Sequence, residues 1–109
     1  MAEFIVTICP TSEIPENSVK SFEVGNNVIA VYNVGGQFYA TDNECTHGAA
    51  SLAEGILEED VIECTLHFGA FNVKTGEAVQ PPCFVPLRTY KVAVKDGQVF
   101  VDLDKSADE

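Results

Sequence analysis

The chain has 109 residues and a formal net charge of −11, from 17 acidic and 6 basic side chains. That balance repels nucleic acid and anionic membrane surfaces, keeps the surface hydrated, and allows steering toward a partner with a basic patch. With 46% hydrophobic and 21% charged residues, the composition is that of a globular domain, and the length predicts a single domain over residues 1–109. A domain of this size buries only about two-thirds of its unfolded surface, so a bound group that ties loops together would matter for folding. No apolar run approaches the roughly 20 residues that span a bilayer. The start, Met1-Ala2-Glu3-Phe4-Ile5-Val6, lacks the basic n-region of a secretory signal. Four cysteines are too few and too oddly spaced for a disulfide framework. A reducing, cytoplasmic location is expected, where thiols stay available for metal.

In chain order, short apolar or alternating runs recur between turn signals, the pattern of an all-β domain. Strands are predicted over residues 4–8, 19–24, 28–34, 38–41, 61–64, 70–72, 89–95 and 99–103. Gly25-Asn26-Asn27, Gly35-Gly36 and Asp96-Gly97 are residue types that tolerate positive φ, as tight hairpins require. Helical periodicity is weak, and residues 51–55 can make a single turn. Prolines 10, 15, 81, 82 and 86 break regular structure or mark its edges. A hairpin is expected with arms 54–57 and 61–64 around Glu58-Glu59-Asp60. The stretches 43–55 and 65–86 read as irregular, and residues 104–109 as a frayed acidic tail. The expected scaffold is a compact antiparallel β-structure.

Both histidines of the chain fall in one pattern with two of its cysteines: Cys45-Thr46-His47, then Cys64-Thr65-Leu66-His67. Each half can project a thiol and an imidazole from one loop, and the intervening hairpin can bring the two loops face to face. Three readings fit these residues. They are side chains with no ligand, a structural zinc site of two Cys and two His, or a [2Fe–2S] centre in which two His replace two Cys on one iron. Zinc sites usually open with two cysteines two to four residues apart, which Cys-x-His followed by Cys-x-x-His does not match.

Cys45-Thr46-His47-Gly48 and Cys64-Thr65-Leu66-His67-Phe68-Gly69-Ala70-Phe71 resemble the two cluster-binding boxes of the Rieske family. The likeness is nearest to ferredoxin components of bacterial aromatic-ring-hydroxylating dioxygenases of carbazole and biphenyl type. It runs from about Ile29 to Leu103, through Phe38-Tyr39-Ala40-Thr41-Asp42 and Asn72-Val73-Lys74-Thr75-Gly76. It implies an all-β, Rieske-type antiparallel β-sandwich with a cluster-binding subdomain made of two loops. One [2Fe–2S] cluster would sit at its tip, with Cys45 and Cys64 on the inner iron and His47 and His67 on the outer iron. Pro81-Pro82-Cys83 matches the family's proline loop, while Cys9 and Cys83 match no ligand position and read as buried or half-buried thiols. Thr65 stands where the family commonly has Pro, and Phe68 where it commonly has Gly.

Two ferric ions, two sulfides and two thiolates sum to zero charge with neutral imidazoles. An all-cysteine cluster carries two more negative charges, so mixed ligation raises the potential into a span of about −150 to +300 mV. High-potential relatives add a disulfide between the loops and hydroxyls beside the cluster. Here those positions hold Ala50, Leu66, Gly69 and Phe71, so a midpoint near the bottom of the span is expected. Solvent-facing ligand histidines would also make that midpoint fall with pH once the oxidised form loses protons.

The sequence shows no nucleotide-binding glycine fingerprint, no Ser-His-Asp set and no open iron triad. The resemblance implies a single-electron carrier rather than an enzyme. It would run from an NADH-dependent flavin reductase to the terminal oxygenase of an aromatic-ring-hydroxylating dioxygenase, docking transiently as a monomer. A small contact patch would include Ala49, Phe68, Pro81 and Pro82. Two alternatives stay open: a small Rieske subunit of another oxidoreductase, such as a nitrite reductase, and a zinc-stabilised interaction domain.

Overall fold

A computed structural model describes residues 5–45, 50–65, 69–81 and 85–107. Among the described residues, ten strands make two antiparallel sheets, accompanied by two 3-10 turns. The larger sheet holds β1 (Ile5–Pro10), β2 (Ser18–Val24), β3 (Asn27–Val34), β4 (Gln37–Asp42), β9 (Thr89–Lys95) and β10 (Gln98–Asp102), in the order β1-β10-β9-β4-β3-β2. The smaller holds β5 (Ile56–Glu58), β6 (Val61–Glu63), β7 (Ala70–Asn72) and β8 (Ala78–Gln80), paired in chain order.

Side-chain alternation on β3 organises both cores. Successive residues point to opposite faces of a strand. Ile29 and Val31 enter one core with Cys9, Ile14, Ala40, Tyr90, Val99 and Val101. Ala30 and Tyr32 enter the other with Cys45, Leu52, Ile62, Cys64, Phe71, Val73 and Leu87. A strand covered on both faces is buried continuously from Ile29 to Asn33, which is why its sequence is apolar without alternation from Val28 to Tyr32.

In the larger sheet, β10 lies three strand positions from β3, and Val99 and Val101 share one core cluster with Ile29 and Val31, with Ala40 of β4 and Tyr90 of β9 between them. β4 and β9 meet through two register pairs, Ala40 with Tyr90 and Thr41 with Thr89.

The hairpin turns of this sheet follow their residue types. Gly35 and Gly36 have φ of 59° and 95°, and Asp96 and Gly97 have 54° and 74°. Positive φ at both central residues is what a two-residue turn matched to strand twist needs. The β2–β3 connection is likewise two residues, Gly25-Asn26, because Val24 already pairs with Asn27. β1 lies at the sheet edge and ends in Pro10, a position where a missing N–H breaks no ladder.

The structure corrects several element bounds. The hairpin of the small sheet turns through Glu59-Asp60 alone, with arms Ile56–Glu58 and Val61–Glu63. Glu59 takes a φ of 53°, which its residue type does not advertise. Strand β8 was hidden inside the stretch read as irregular, since three residues with only one half-buried are too few to show alternation. The tail read as frayed is tied down to residue 107. The Lys91 N–H donates to the Lys105 carbonyl at 3.0 Å, and the Ala107 N–H to Thr89 Oγ1 at 3.1 Å. The single turn expected within 51–55 is present as Leu52–Glu54. Among the described residues, no helix is long and apolar enough to cross a membrane.

Candidate metal centre

Cys45 and Cys64 come from different parts of the chain and meet in one core, with only 3% and 0% of their surface exposed. Neither they nor Cys9 form a disulfide. The two cysteines occupy equivalent places. After β4, the chain narrows to a neck at a Glu44–Ser51 bridge, and the Cys45 N–H donates to the Ala50 carbonyl at 2.9 Å. Between β6 and β7 the neck is the Glu63–Ala70 register pair, and the Cys64 N–H donates to the Gly69 carbonyl at 2.6 Å. Each cysteine thus opens a loop whose far side is the residue five positions on. His47 falls inside the first loop and His67 inside the second. The unequal spacings, Cys-x-His and Cys-x-x-His, therefore belong to loops of equal length.

His47 and His67 themselves lie outside the described residues, as do Phe68, Pro82 and Cys83. Of the apolar residues expected around the site, Pro81 is described, and it is exposed. Val85, next to the undescribed part of that loop, is 59% exposed.

The first neck is anchored by Asn43, a buried polar residue that the sequence reading passed over. Its side-chain oxygen accepts the Ala53 N–H at 3.0 Å, and its amide donates to Ser51 Oγ at 2.9 Å. Its backbone N–H donates to the Val28 carbonyl at 3.0 Å, and its carbonyl accepts the Leu52 N–H at 2.8 Å. An Asn just before a Cys-x-His could have been noticed, because Asn readily bonds nearby backbone in turns.

Two glycines permit the close packing of this end. A Cβ on Gly55 would stand 2.1 Å from the Glu63 carbonyl oxygen, one residue before Cys64. A Cβ on Gly76 would stand 2.3 Å from the Leu87 carbonyl oxygen, and Gly76 also has a φ of 81°. Its N–H closes the turn opened by Asn72, and its carbonyl accepts the Leu87 N–H at 2.8 Å. That bond fixes where the chain returns from the third loop into the cysteine core.

Polar groups beneath the site are matched to one another. Thr41 Oγ1 donates to the Asp42 carbonyl at 2.8 Å. Its single proton is then committed, so the Tyr32 hydroxyl donates to Thr41 in their 2.8 Å contact. Tyr32 reaches the cysteine core with its ring but spends its hydroxyl elsewhere. Burial holds its ionisation well above the usual tyrosine range, against a smaller opposite effect of the Thr41 bond. Tyr90 donates to Asp42 Oδ1 at 2.5 Å. Its pKa is pushed up to about 12, first by burial and then by the hydrogen bond and negative charge of Asp42. Burial raises the Cys9 thiol as well, helped by the nearby Glu13 charge, so Cys9 is a packed thiol rather than a nucleophile. Between Asp42 and Leu87 stand eight carboxylates and one basic residue, Lys74, a balance of −7 within the chain's −11.

Residues 4–91 match the Rieske [2Fe–2S] domain model. The chain belongs to the Rieske [2Fe–2S] family. It is 47% identical to Ferredoxin CarAc of Metapseudomonas resinovorans, over 96% of this chain and 99% of the relative. It is 44% identical to the 3-phenylpropionate/cinnamic acid dioxygenase ferredoxin subunit of Escherichia coli K12, over 90% of this chain and 92% of that one. Among solved structures, the ferredoxin-like chain in a complex of reduced oxygenase and oxidised ferredoxin in carbazole 1,9a-dioxygenase superposes with a TM-score of 0.87. That chain is 48% identical, with 92% of this chain and 94% of the other covered. This Rieske protein therefore has the antiparallel fold expected from its sequence, and its iron–sulfur character follows from the family.

Proposed function

We propose that one [2Fe–2S] cluster is held by Cys45, His47, Cys64 and His67, in a single domain spanning residues 1–109. The observation that carries this reading is the equivalence of the two necks, which set two buried thiols into one core at the mouths of two equal loops. The donor set fits the group: two thiolates on the protein side and two imidazoles within the loops beyond them. When bound, the cluster supplies a one-electron couple. The rest is the work of the chain. The necks fix the thiols, the apolar core of Leu52, Ile62, Phe71 and Leu87 keeps water from them, and no side-chain hydroxyl of Tyr32 is left to stabilise added charge on sulfur.

The protein is an electron-transfer component of a dioxygenase system rather than an enzyme in its own right. By likeness to the relatives above, it takes electrons from an NADH-dependent flavin reductase and passes them to the terminal oxygenase of an aromatic-ring-hydroxylating dioxygenase. It docks transiently as a monomer in the cytoplasm, where thiols are kept reduced. The chain's net charge of −11 favours rapid, salt-sensitive encounter with a basic partner face.

Electron paramagnetic resonance of the purified protein after dithionite reduction tests the cluster assignment. A rhombic signal with the low average g-value of mixed Cys/His ligation is expected, with a midpoint near the bottom of the roughly −150 to +300 mV span. A colourless, silent, zinc-containing sample would refute it. Stoichiometric copurification with a large reductase subunit would instead favour a role as a fixed subunit of another oxidoreductase.

A further inference from the structure

The two necks are equivalent in shape but are held by different means. Among the described residues, the second is set in a β ladder. The β6–β7 ladder runs through Val61–Asn72, Ile62–Phe71 and Glu63–Ala70 into the Cys64 to Gly69 hydrogen bond. The first lies beyond the end of β4, where the ladder with β3 stops at the Ile29–Asp42 pair. Past that point a single isolated bridge, Glu44 to Ser51, is the regular pairing. Asn43 fills the gap with four hydrogen bonds, two from its side chain to Ser51 and Ala53 and two from its backbone to Val28 and Leu52. It ties both arms of the loop to each other and to the central strand β3, two residues before Cys45.

We infer that Asn43 is a positioning residue for the cluster: its side chain sets the conformation of the first loop, and through it the placement of Cys45, whereas the second neck continues a β ladder. The inference rests on the cluster reading above. Buried amide groups that keep all their partners rigidify what they join, whereas removal of one strands its partners at a cost. In Asn43→Ala the Ala53 N–H and the Ser51 hydroxyl each lose a bond, and the arms of the loop are free to separate. Asn43→Asp keeps an acceptor for the Ala53 N–H, and Ser51 can reverse its hydroxyl to donate.

The control is Asn33, buried in β3 and also bonded through both side-chain atoms. Its amide donates to the Ile14 carbonyl at 2.7 Å, and its oxygen accepts the Gly36 N–H at 2.8 Å, and Ile14 packs in the core that does not contain Cys45 and Cys64. The experiment measures cluster-release half-life, reduced-state g-values and midpoint potential for the parent, Asn43→Ala, Asn43→Asp and Asn33→Ala holoproteins. Asn43→Ala is expected to shorten the half-life about tenfold or more, the usual scale for residues that orient metal ligands, and to shift or broaden the g-values. Asn43→Asp should recover most of the half-life. Asn33→Ala should lower the melting temperature while leaving g-values and midpoint at parent values.

If Asn43→Ala accumulates no holoprotein, Ser51→Ala, which removes one of the two side-chain bonds, should show a smaller change in the same direction. Parent-like half-life and g-values in Asn43→Ala, or in Ser51→Ala where that variant stands in, would overturn the inference. So would equal spectroscopic changes in Asn33→Ala. A parent protein with no cluster at all would instead overturn the cluster reading.

Discussion

The two ends of the molecule use glycine for different reasons. In the hairpins of the six-stranded sheet, Gly25, Gly35, Gly36 and Gly97 have positive φ and nothing within 4 Å of the place a Cβ would take. They are there for backbone conformation alone. At the cysteine end, Gly55 and Gly76 leave no room, because a Cβ would run into the carbonyls of Glu63 and Leu87. Gly55 has an ordinary φ of −84°, so space is its whole reason. The large sheet is stabilised by ladders and apolar burial that tolerate local change. The small sheet, with three-residue strands, is held by close backbone approach at Gly55 and Gly76.

The most severe way to break this contrast is to remove a ligand. His47→Ala and Cys64→Ser are each expected to abolish the reduced-state resonance signal, and the cysteine end should lose protection in hydrogen exchange while the large sheet keeps its own. An unchanged spectrum in His47→Ala would show that the ligand set is wrong. Next in size, Gly55→Ala should destabilise by about 1–3 kcal/mol, the usual cost of forcing atoms into a packed site. It should also speed cluster release, because the displaced carbonyl belongs to the residue before Cys64. Chemical denaturation with absorbance and circular dichroism followed together measures both effects.

Gly97→Ala gives the opposite pattern. It places an L-residue at a φ of 74° in open space, at a cost of about 1–2 kcal/mol, with cluster release unaltered. Equal cluster release rates in the Gly55 and Gly97 variants would erase the distinction between the two ends. The smallest expected effect lies where β4 meets β9 in the large sheet. Tyr90 has its pKa pushed up to about 12 from 10.0. The folded state therefore holds the proton more tightly than the unfolded state. The associated stability is complete below about pH 10 and is lost as pH rises toward 12. Tyr90→Phe should make the alkaline fall in melting temperature shallower, while the reduced-state signal at neutral pH stays the same.

Fold class and most strands were legible because their causes are local. The 28–32 run is apolar since β3 is covered on both faces, and Gly35-Gly36 and Asp96-Gly97 are hairpin turns by residue type. Short strands were not legible. β8 has three residues and no alternation, and the Glu59-Asp60 turn uses a positive φ at a glutamate. The cysteine–histidine pairs were read from the sequence because their chemistry resides in side-chain identity. Their supports were not, because Asn43, Gly55 and Gly76 act on segments remote in sequence or through contacts that no residue type announces.

The sequence by itself determined the all-β character, the acidic composition and the family, and it supplied the cysteine–histidine pairs proposed to bind iron. Only the tertiary structure decided that the two cysteine loops have equal necks, and that one is held by a ladder and the other by an asparagine. It also decided that β3 divides the interior into two cores. The physical reason is that hydrophobic pattern and donor chemistry are properties of single residues and their near neighbours. Carbonyl-to-carbon approach and the four hydrogen bonds of one buried asparagine, two from its side chain and two from its backbone, exist only once distant segments have been brought together.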